Sequence, residues 1–408
     1  MKMRNPFDIE PIRPAPLPGA VDPTGELQPA APDALRDSEQ APPPPAGEPL
    51  AVEFLGDQAE YARLWYINVL LTLVTFGLYS PWAKVAARRY FASHTLVGGV
   101  PFAYHGEPLP ILKGRLLAVA IITAGWMLAG VVPAMEPILL AAAIVAAPWF
   151  ILRTLEFTGR NYAWRGIRFG FSAHWRAAAA AVLPLLVWPG SAVAFRLLEA
   201  AAPGRSFYLA AVLVPILAFS LLWPLTVAAA VHLRFAGTRF GTMRFTLDAS
   251  KMDFYRLYYR GLGPVVGAMV GGIYVIEKLT SFVLRPDIAL MVNAFLAMCW
   301  TAAVVGIARG RRFNLGLHRL ASDNGRIRFR STLDPKALSV LYVRNALWVA
   351  LTAGLASPWR RVLTTRYRLS HVTVYVDGPL TAIGPDAAPT PGALGESLAE
   401  GLGVDLSL

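Results

Sequence analysis

Charge is scarce in this chain. Charged residues make up 16% of its 408 residues, against about 25% in a typical soluble domain. Cysteine is nearly absent: the single Cys299 excludes an intramolecular disulfide and leaves the redox compartment unmarked. No Walker A pattern, no GxGxxG after a strand, no HExxH and no GxSxG occurs, so nucleotide, zinc-protease and serine-hydrolase chemistry have no visible foothold. The six His have no Cys or carboxylate at metal-ligand spacing. No cofactor, no metal and no catalytic constellation is expected, so the chain reads as a non-enzyme.

What the chain has in abundance is apolar side chains, 55% of the total, with a mean hydropathy of +0.46. Six runs approach the ~20 residues that a membrane-spanning helix needs: Leu116–Ala134, Pro137–Leu152, Ala177–Phe195, Phe207–Val231, Leu262–Val283 and Ile288–Ala308. They form three pairs with tight, sparsely charged connectors. Between the pairs lie segments rich in arginine, such as Arg153 to Arg176, Arg234 to Arg260 and Arg309 to Lys336. The formal net charge of +12 therefore reads as cytoplasmic loop charge and membrane topology, not as nucleic-acid binding.

Two further apolar stretches, Leu64–Tyr79 and Ala337–Ala356, each end in Ser-Pro-Trp. They are copies of one another. Asn68 matches Asn345, Gly77 matches Gly354, Ser80-Pro81-Trp82 match Ser357-Pro358-Trp359, and Arg89-Tyr90 match Arg366-Tyr367. Two full crossings would place one basic segment outside, and Arg344 falls near the middle of the second stretch, where arginine costs roughly 2.5–3.5 kcal/mol. Two re-entrant corners leave six spans and both termini in the cytoplasm. Locally, Gly77 and Gly354 suit a left-handed helix end. Ser80 and Ser357 suit an N-cap, and Pro81 and Pro358 suit the first helical position. The helix that follows is amphipathic, with Trp82, Val85, Arg89 and Tyr90 on one face and Lys84 and Arg88 on the other.

A third pattern precedes the helices. "PLAVEFLGD", "GIRFGFSAH", "TMRFTLDAS" and "RIRFRSTLD" alternate as short strands do, and turn sequences lie upstream of them. Several short cytoplasmic hairpins are expected. The fold class is then an all-α polytopic membrane protein: about six transmembrane helices, two broken helical corners and short β-hairpins. Residues 1–50, rich in Pro and Ala, are expected to be disordered, without the basic and apolar regions of a cleavable signal. Residues 51–380 form the membrane domain, with its repeat at 54–105 and 329–378, and 381–408 a loose tail.

The first corner, "NVLLTLVTFGLYSPWAKVAARRYFASHT", with "FAYHGEPLPILKGRLLA" after it, resembles the YjgN-like bacterial inner-membrane family, domain of unknown function 898. The resemblance spans about residues 51–380. It implies a multi-pass protein of the bacterial inner membrane and implies no activity.

Arg89 and Arg366, with Trp82 and Trp359, are the candidate sites for a lipid headgroup, since a guanidinium grips phosphate with two hydrogen bonds. They could equally tie up carbonyls at the broken helix ends. Glu156 and the Glu277-Lys278 pair are ionisable groups near span ends, where a structural role is the simpler one. The glycine stripe Gly263, Gly267 and Gly271 suits close helix packing. Two functions fit: a transporter of a small solute or lipid, or a non-transporting lipid-binding or scaffold protein of the envelope. Membrane lipids, anionic ones included, are the expected partners.

Overall fold

The computed structural model describes residues 47–378, except 133–134, 183–185, 188–190, 192–194, 196–197 and 200–207. The expectations for nearly all of the N-terminal tail, for the C-terminal tail and for nine of the nineteen residues of the third span, Ala177–Phe195, fall outside the described residues.

Ten short strands close into one antiparallel barrel, with the order β1-β10-β9-β8-β7-β6-β5-β4-β3-β2. This corrects the all-α expectation. The hairpins are not scattered cytoplasmic ornaments but one continuous structure. Its elements follow a single rule: strand, helical pair, strand.

β1 (Glu48–Phe54) leads through α1 (Gln58–Val74) and α2 (Ser80–Ser93) to β2 (Thr95–Val97). β3 (Val100–Tyr104) leads through α3 (Pro108–Val131) and α4 (Met135–Asn161) to β4 (Tyr162–Trp164). β5 (Ile167–Phe171) leads through α5 (Trp175–Val182) and α6 (Tyr208–Ala236) to β6 (Thr238–Phe240). β7 (Met243–Leu247) leads through α7 (Lys251–Tyr255), a π-helical segment (Arg256–Leu262), α8 (Gly263–Val283) and α9 (Pro286–His318) to β8 (Leu320–Ser322). β9 (Ile327–Ser331) leads through α10 (Pro335–Leu351) and α11 (Ser357–Leu369) to β10 (Val372–Val376).

Within each unit the two strands pair with one another in antiparallel fashion, and tight turns join one unit to the next. Every helical pair therefore leaves from one end of the barrel, and every turn lies at the other. Turn chemistry agrees. Gly98 and Gly99 have φ of 55° and 76°, and Arg165 and Gly166 have 52° and 78°, the left-handed pairs that two-residue hairpins need. Closure is non-local. Glu48 pairs with Val376 and Ala51 with Thr373, so the first and last units are neighbours in the ring.

The barrel lumen is filled. Alternation along β7 turns Met243, Phe245 and Leu247 inward and Arg244 and Thr246 outward. Inward rings stack on each other: Phe169 and Phe240 at 4.9 Å, Trp164 and Phe240 at 5.7 Å, and Phe245 and Phe329 at 6.0 Å between centroids. Such pairs add roughly 0.5–1.5 kcal/mol each beyond their burial. A barrel packed in this way has a core where a wider one has a channel.

Five helical stretches among the described residues are long and apolar enough to cross a membrane: Pro108–Val131, Ala141–Asn161, Leu213–Ala236, Lys251–Thr280 and Pro286–His318. Their flanks carry exposed apolar side chains, Trp126 at 79% and Phe282 at 91% exposure, which only lipid or another apolar surface can cover. Pro148, Pro215 and Pro224 lie inside helices, as neighbouring helices permit in lipid. The glycine stripe does not pack closely: no described atom lies within 4 Å of a Cβ built on Gly267 or Gly271. The close approach is elsewhere, at Gly306 and Gly310 of α9, where an added Cβ would stand 2.6 Å from the Ser339 Cα and 2.9 Å from the Pro335 Cα.

Candidate functional site

The two Ser-Pro-Trp corners are the helical hairpins of the first and last units. Each goes out from the barrel and returns to the same end. The first helix of each ends in the same way. Gly77 N–H bonds to the Thr72 carbonyl at 2.8 Å and Phe76 N–H to Leu73 at 3.1 Å; Gly354 bonds to Val349 at 2.7 Å and Ala353 to Ala350 at 3.1 Å. This double bond pattern closes a helix C-terminus. Its left-handed positions are Phe76 and Ala353, each at φ 49°, followed by Gly77 at 89° and Gly354 at 93°. Ser80 and Ser357 do not cap their helices. Both are first helical residues, Pro81 and Pro358 follow them, and both hydroxyls donate back to the Gly77 and Gly354 carbonyls.

Arg89 and Arg366 both reach backbone carbonyls. Arg89 Nη2 donates to Gly106 O at 3.3 Å and Arg366 Nη2 to Gly56 O at 2.7 Å. Gly106 follows β3 and Gly56 follows β1, so each arginine ties its unit to the loop of the next unit in the ring. Trp82 stacks on Tyr79 at 5.8 Å, and Trp359 meets the Tyr66 ring edge-on at 5.9 Å. The structure does not bring these four side chains to one place. Glu156 is held between Arg153 at 3.1 Å and Arg160 at 2.6 Å, and Lys278 sits over the Tyr274 ring.

A chamber of about 1570 Å3 lies between the two short hairpins and the long helices α4, α6 and α9. Seven cations line it: Lys84 and Arg88 from α2, Arg234 from α6, Arg309 from α9, and Arg360, Arg361 and Arg368 from α11. Among the described residues, no carboxylate lines it. Asn68 and Asn345, equivalent in the repeat, are 7% and 4% exposed and face the chamber from α1 and α10. Asn345 Nδ2 donates to Thr364 Oγ1 at 3.2 Å. Val69, Leu73, Met298 and Val349 supply an apolar wall.

Aromatic groups hold several of these cations. Arg361 Nη1 donates to the Tyr61 hydroxyl at 3.2 Å while its guanidinium lies 4.9 Å from the Phe91 ring centre. Arg309 Nη1 donates to the Tyr342 hydroxyl at 3.1 Å. Arg88 Nη1 donates to the Tyr104 hydroxyl at 2.9 Å. Arg368 lies over the Phe313 ring at 4.7 Å. Burial pushes the Tyr61 phenol above its ordinary value, against the opposing charge of Arg361. Burial, with the like charges of Arg309 and Arg312, pulls Arg368 below its own, while the Tyr342 phenol opposes the fall. Cations gathered around one space focus a positive potential on it. The residues that make this chamber lay unmarked in the basic loops and on the polar face of one amphipathic helix. One signal was available: Lys84, Arg309 and Arg361 each stand eleven residues before a strand, at Thr95, Leu320 and Val372.

The family model described as bacterial protein of unknown function (DUF898) matches residues 49–401. The chain belongs to this DUF898 family. The match spans the whole ring of five units, so the barrel and its helical pairs are the family's own substance in this chain. Among curated relatives, the inner membrane protein YjgN of Salmonella typhimurium is 24% identical over 358 residues, 79% of this chain and 88% of the relative. The inner membrane protein YjgN of Escherichia coli O157:H7 is 24% identical over 374 residues, 84% of this chain and 92% of the relative. No solved structure matches the chain.

Proposed function

We propose that the chain is an inner-membrane protein that holds an anionic membrane lipid in the chamber between its two corners, with the barrel in the cytoplasm. The observation that carries this reading is the chamber itself: seven cations and an apolar wall in one space, with no carboxylate among its described lining residues. The membrane location rests on the exposed apolar flanks of the long helices, on the five span-length helices and on relatives named for the inner membrane. A cytoplasmic barrel is supported by its basic surface, including Arg165, Arg168, Arg244 and Arg328.

The aromatic core of the barrel supports a binding role over conduction along the barrel axis. A second reading, transport of a lipid or small anion, is favoured by the size of the chamber alone.

Native mass spectrometry on protein purified with lipids retained tests the binding role. Anionic adducts are expected on the wild type and lost from a Lys84→Gln/Arg88→Gln/Arg309→Gln/Arg361→Gln variant that still elutes as folded protein. Equal adducts on both proteins exclude the chamber as the site. Flux of labelled anionic lipid or phosphate in proteoliposomes, stopped by the same variant, would replace binding by transport.

A further inference from the structure

We infer that the Asn68 side-chain amide is a ligand-binding group of the chamber and takes an uncharged oxygen of the bound lipid, an ester carbonyl or a headgroup hydroxyl. This deepens the reading of the chamber as a lipid site and rests on it.

The two copies of the repeat turn equivalent positions to the chamber. Asn68 and Asn345 line it, and so do Ala87 and Thr364. In the second copy the amide is engaged: Asn345 Nδ2 donates to Thr364 Oγ1 at 3.2 Å. The equivalent of Thr364 in the first copy is Ala87, whose methyl group neither donates nor accepts. The Asn68 backbone carbonyl accepts from the Thr72 hydroxyl at 2.6 Å, but among the described residues the Asn68 side-chain amide has no hydrogen-bond partner. The residue is nonetheless only 7% exposed. One copy therefore closes its amide on itself, and the other holds its amide open to the chamber.

Neither helix formation nor packing calls for an amide at this position. Asn68 lies inside α1, well past the Asp57 cap, where leucine is the better helix former. A side-chain amide has two N–H donors and an acceptor oxygen. Buried without a partner it is costly, whereas an apolar side chain of similar size would fill the same space at no such cost. Trp65 and Thr72 stand three residues before and four after Asn68, on the same face of α1, and both line the chamber. The amide thus opens onto that space and onto no other.

Charge decides which oxygen the amide takes. Phosphate oxygens are the strongest acceptors of an anionic lipid, and guanidinium and ammonium groups, which the chamber also carries, are stronger donors to them than an amide is. A neutral amide is matched to a neutral oxygen. A diacyl lipid offers two kinds. An ester carbonyl accepts from Nδ2–H, and a headgroup hydroxyl either accepts from Nδ2–H or donates to Oδ1. Val69, the next residue, and Leu73 belong to the apolar wall, so the amide stands where a polar end and an acyl chain would meet.

The test uses the full chain in neutral detergent, delipidated and titrated with three singly charged phosphodiester lipids of equal chain length. They are phosphatidylglycerol, its diether analogue without ester carbonyls, and phosphatidylethanol without a headgroup hydroxyl. Wild type is expected to bind one of the two analogues about tenfold more weakly than phosphatidylglycerol, which is about 1.4 kcal/mol and the size of one neutral hydrogen bond. Weak binding of the diether names the carbonyl, and weak binding of phosphatidylethanol names the hydroxyl; both support the inference. Asn68→Leu is expected to bind all three lipids about equally. Ala87→Thr gives Asn68 the hydroxyl that Thr364 gives Asn345, so it is expected to weaken the preference with the asparagine intact and to raise the thermal midpoint. Equal binding of the three lipids by wild type, or a preference that survives both variants unchanged, overturns the inference. If the Lys84→Gln/Arg88→Gln/Arg309→Gln/Arg361→Gln variant then loses all three lipids, the chamber remains a lipid site without this contact. If that variant binds all three as wild type does, the chamber reading fails and the inference with it.

Discussion

The Arg366 guanidinium donates a 2.7 Å hydrogen bond to the Gly56 carbonyl, across the seam where the last unit of the ring meets the first. Arg89 makes the same tie one unit further on, to Gly106 at 3.3 Å. The seam is the one place where closure joins strands from opposite ends of the chain. Removing the Arg366 bond should therefore cost about 1–2 kcal/mol, and Arg366→Lys should recover little of it, because a lysine lacks the planar fork. The thermal midpoint in detergent of Arg366→Ala, Arg366→Lys and Arg89→Ala is expected to fall most for the two Arg366 variants. Anionic lipid retained per folded molecule should stay constant. A loss of lipid with an unchanged midpoint would instead make Arg366 a ligand residue.

Gly77→Val should lower folded yield far more than Gly267→Ala. Gly77 sits at φ 89°, and no described atom lies within 4 Å of a Cβ built there. The penalty at Gly77 is thus one of backbone conformation, which a β-branched residue pays in full. Gly267 is an ordinary helical position with open space, and alanine there gains up to about 1 kcal/mol of helix propensity. Detergent-solubilised fluorescence chromatography of tagged variants compares the two; equal yields would refute the conformational account.

Gly306→Ala should be severe for the opposite reason. Its φ is helical, but its new Cβ would meet the Ser339 Cα at 2.6 Å, backbone against backbone. α9 and α10 would have to separate, opening the wall of the chamber that Val305 and Tyr342 line. A loss of several kcal/mol is expected on the scale of overpacked cores, about 1–3 or more. A midpoint within a degree or two of wild type would mean that the helices shift apart at little cost.

Residues 48 and 376 emerge together, since Glu48 pairs with Val376 at the turn end of the barrel. Reporter domains fused at Pro45 and at Leu408 are expected to report the same side, which is the cytoplasm in the proposed orientation. A periplasmic signal from either fusion contradicts the proposed orientation.

Local chemistry carried a great deal of this protein in its sequence. The apolar runs marked helices of membrane length, because a span must satisfy all its backbone bonds internally and be apolar along its whole surface. The Ser-Pro-Trp repeat marked the two corners, and glycine marked their left-handed ends, though the left-handed residues themselves are shared with Phe76 and Ala353. Alternation marked the strands. Their assembly was not legible, because a strand of three to seven residues has no partner written in it. Pairing between Glu48 and Val376 spans almost the whole described chain, and only tertiary closure decides it. The same closure decided the site. Arg89 and Arg366 read either as headgroup ligands or as ties to carbonyls of the broken helix ends; the ring brings both to carbonyls, those of the neighbouring loops at Gly106 and Gly56. Arg309 read as loop charge, Lys84 as the polar face of an amphipathic helix, and Arg361 was unmarked; they line one space because three helices enter one barrel in the same register.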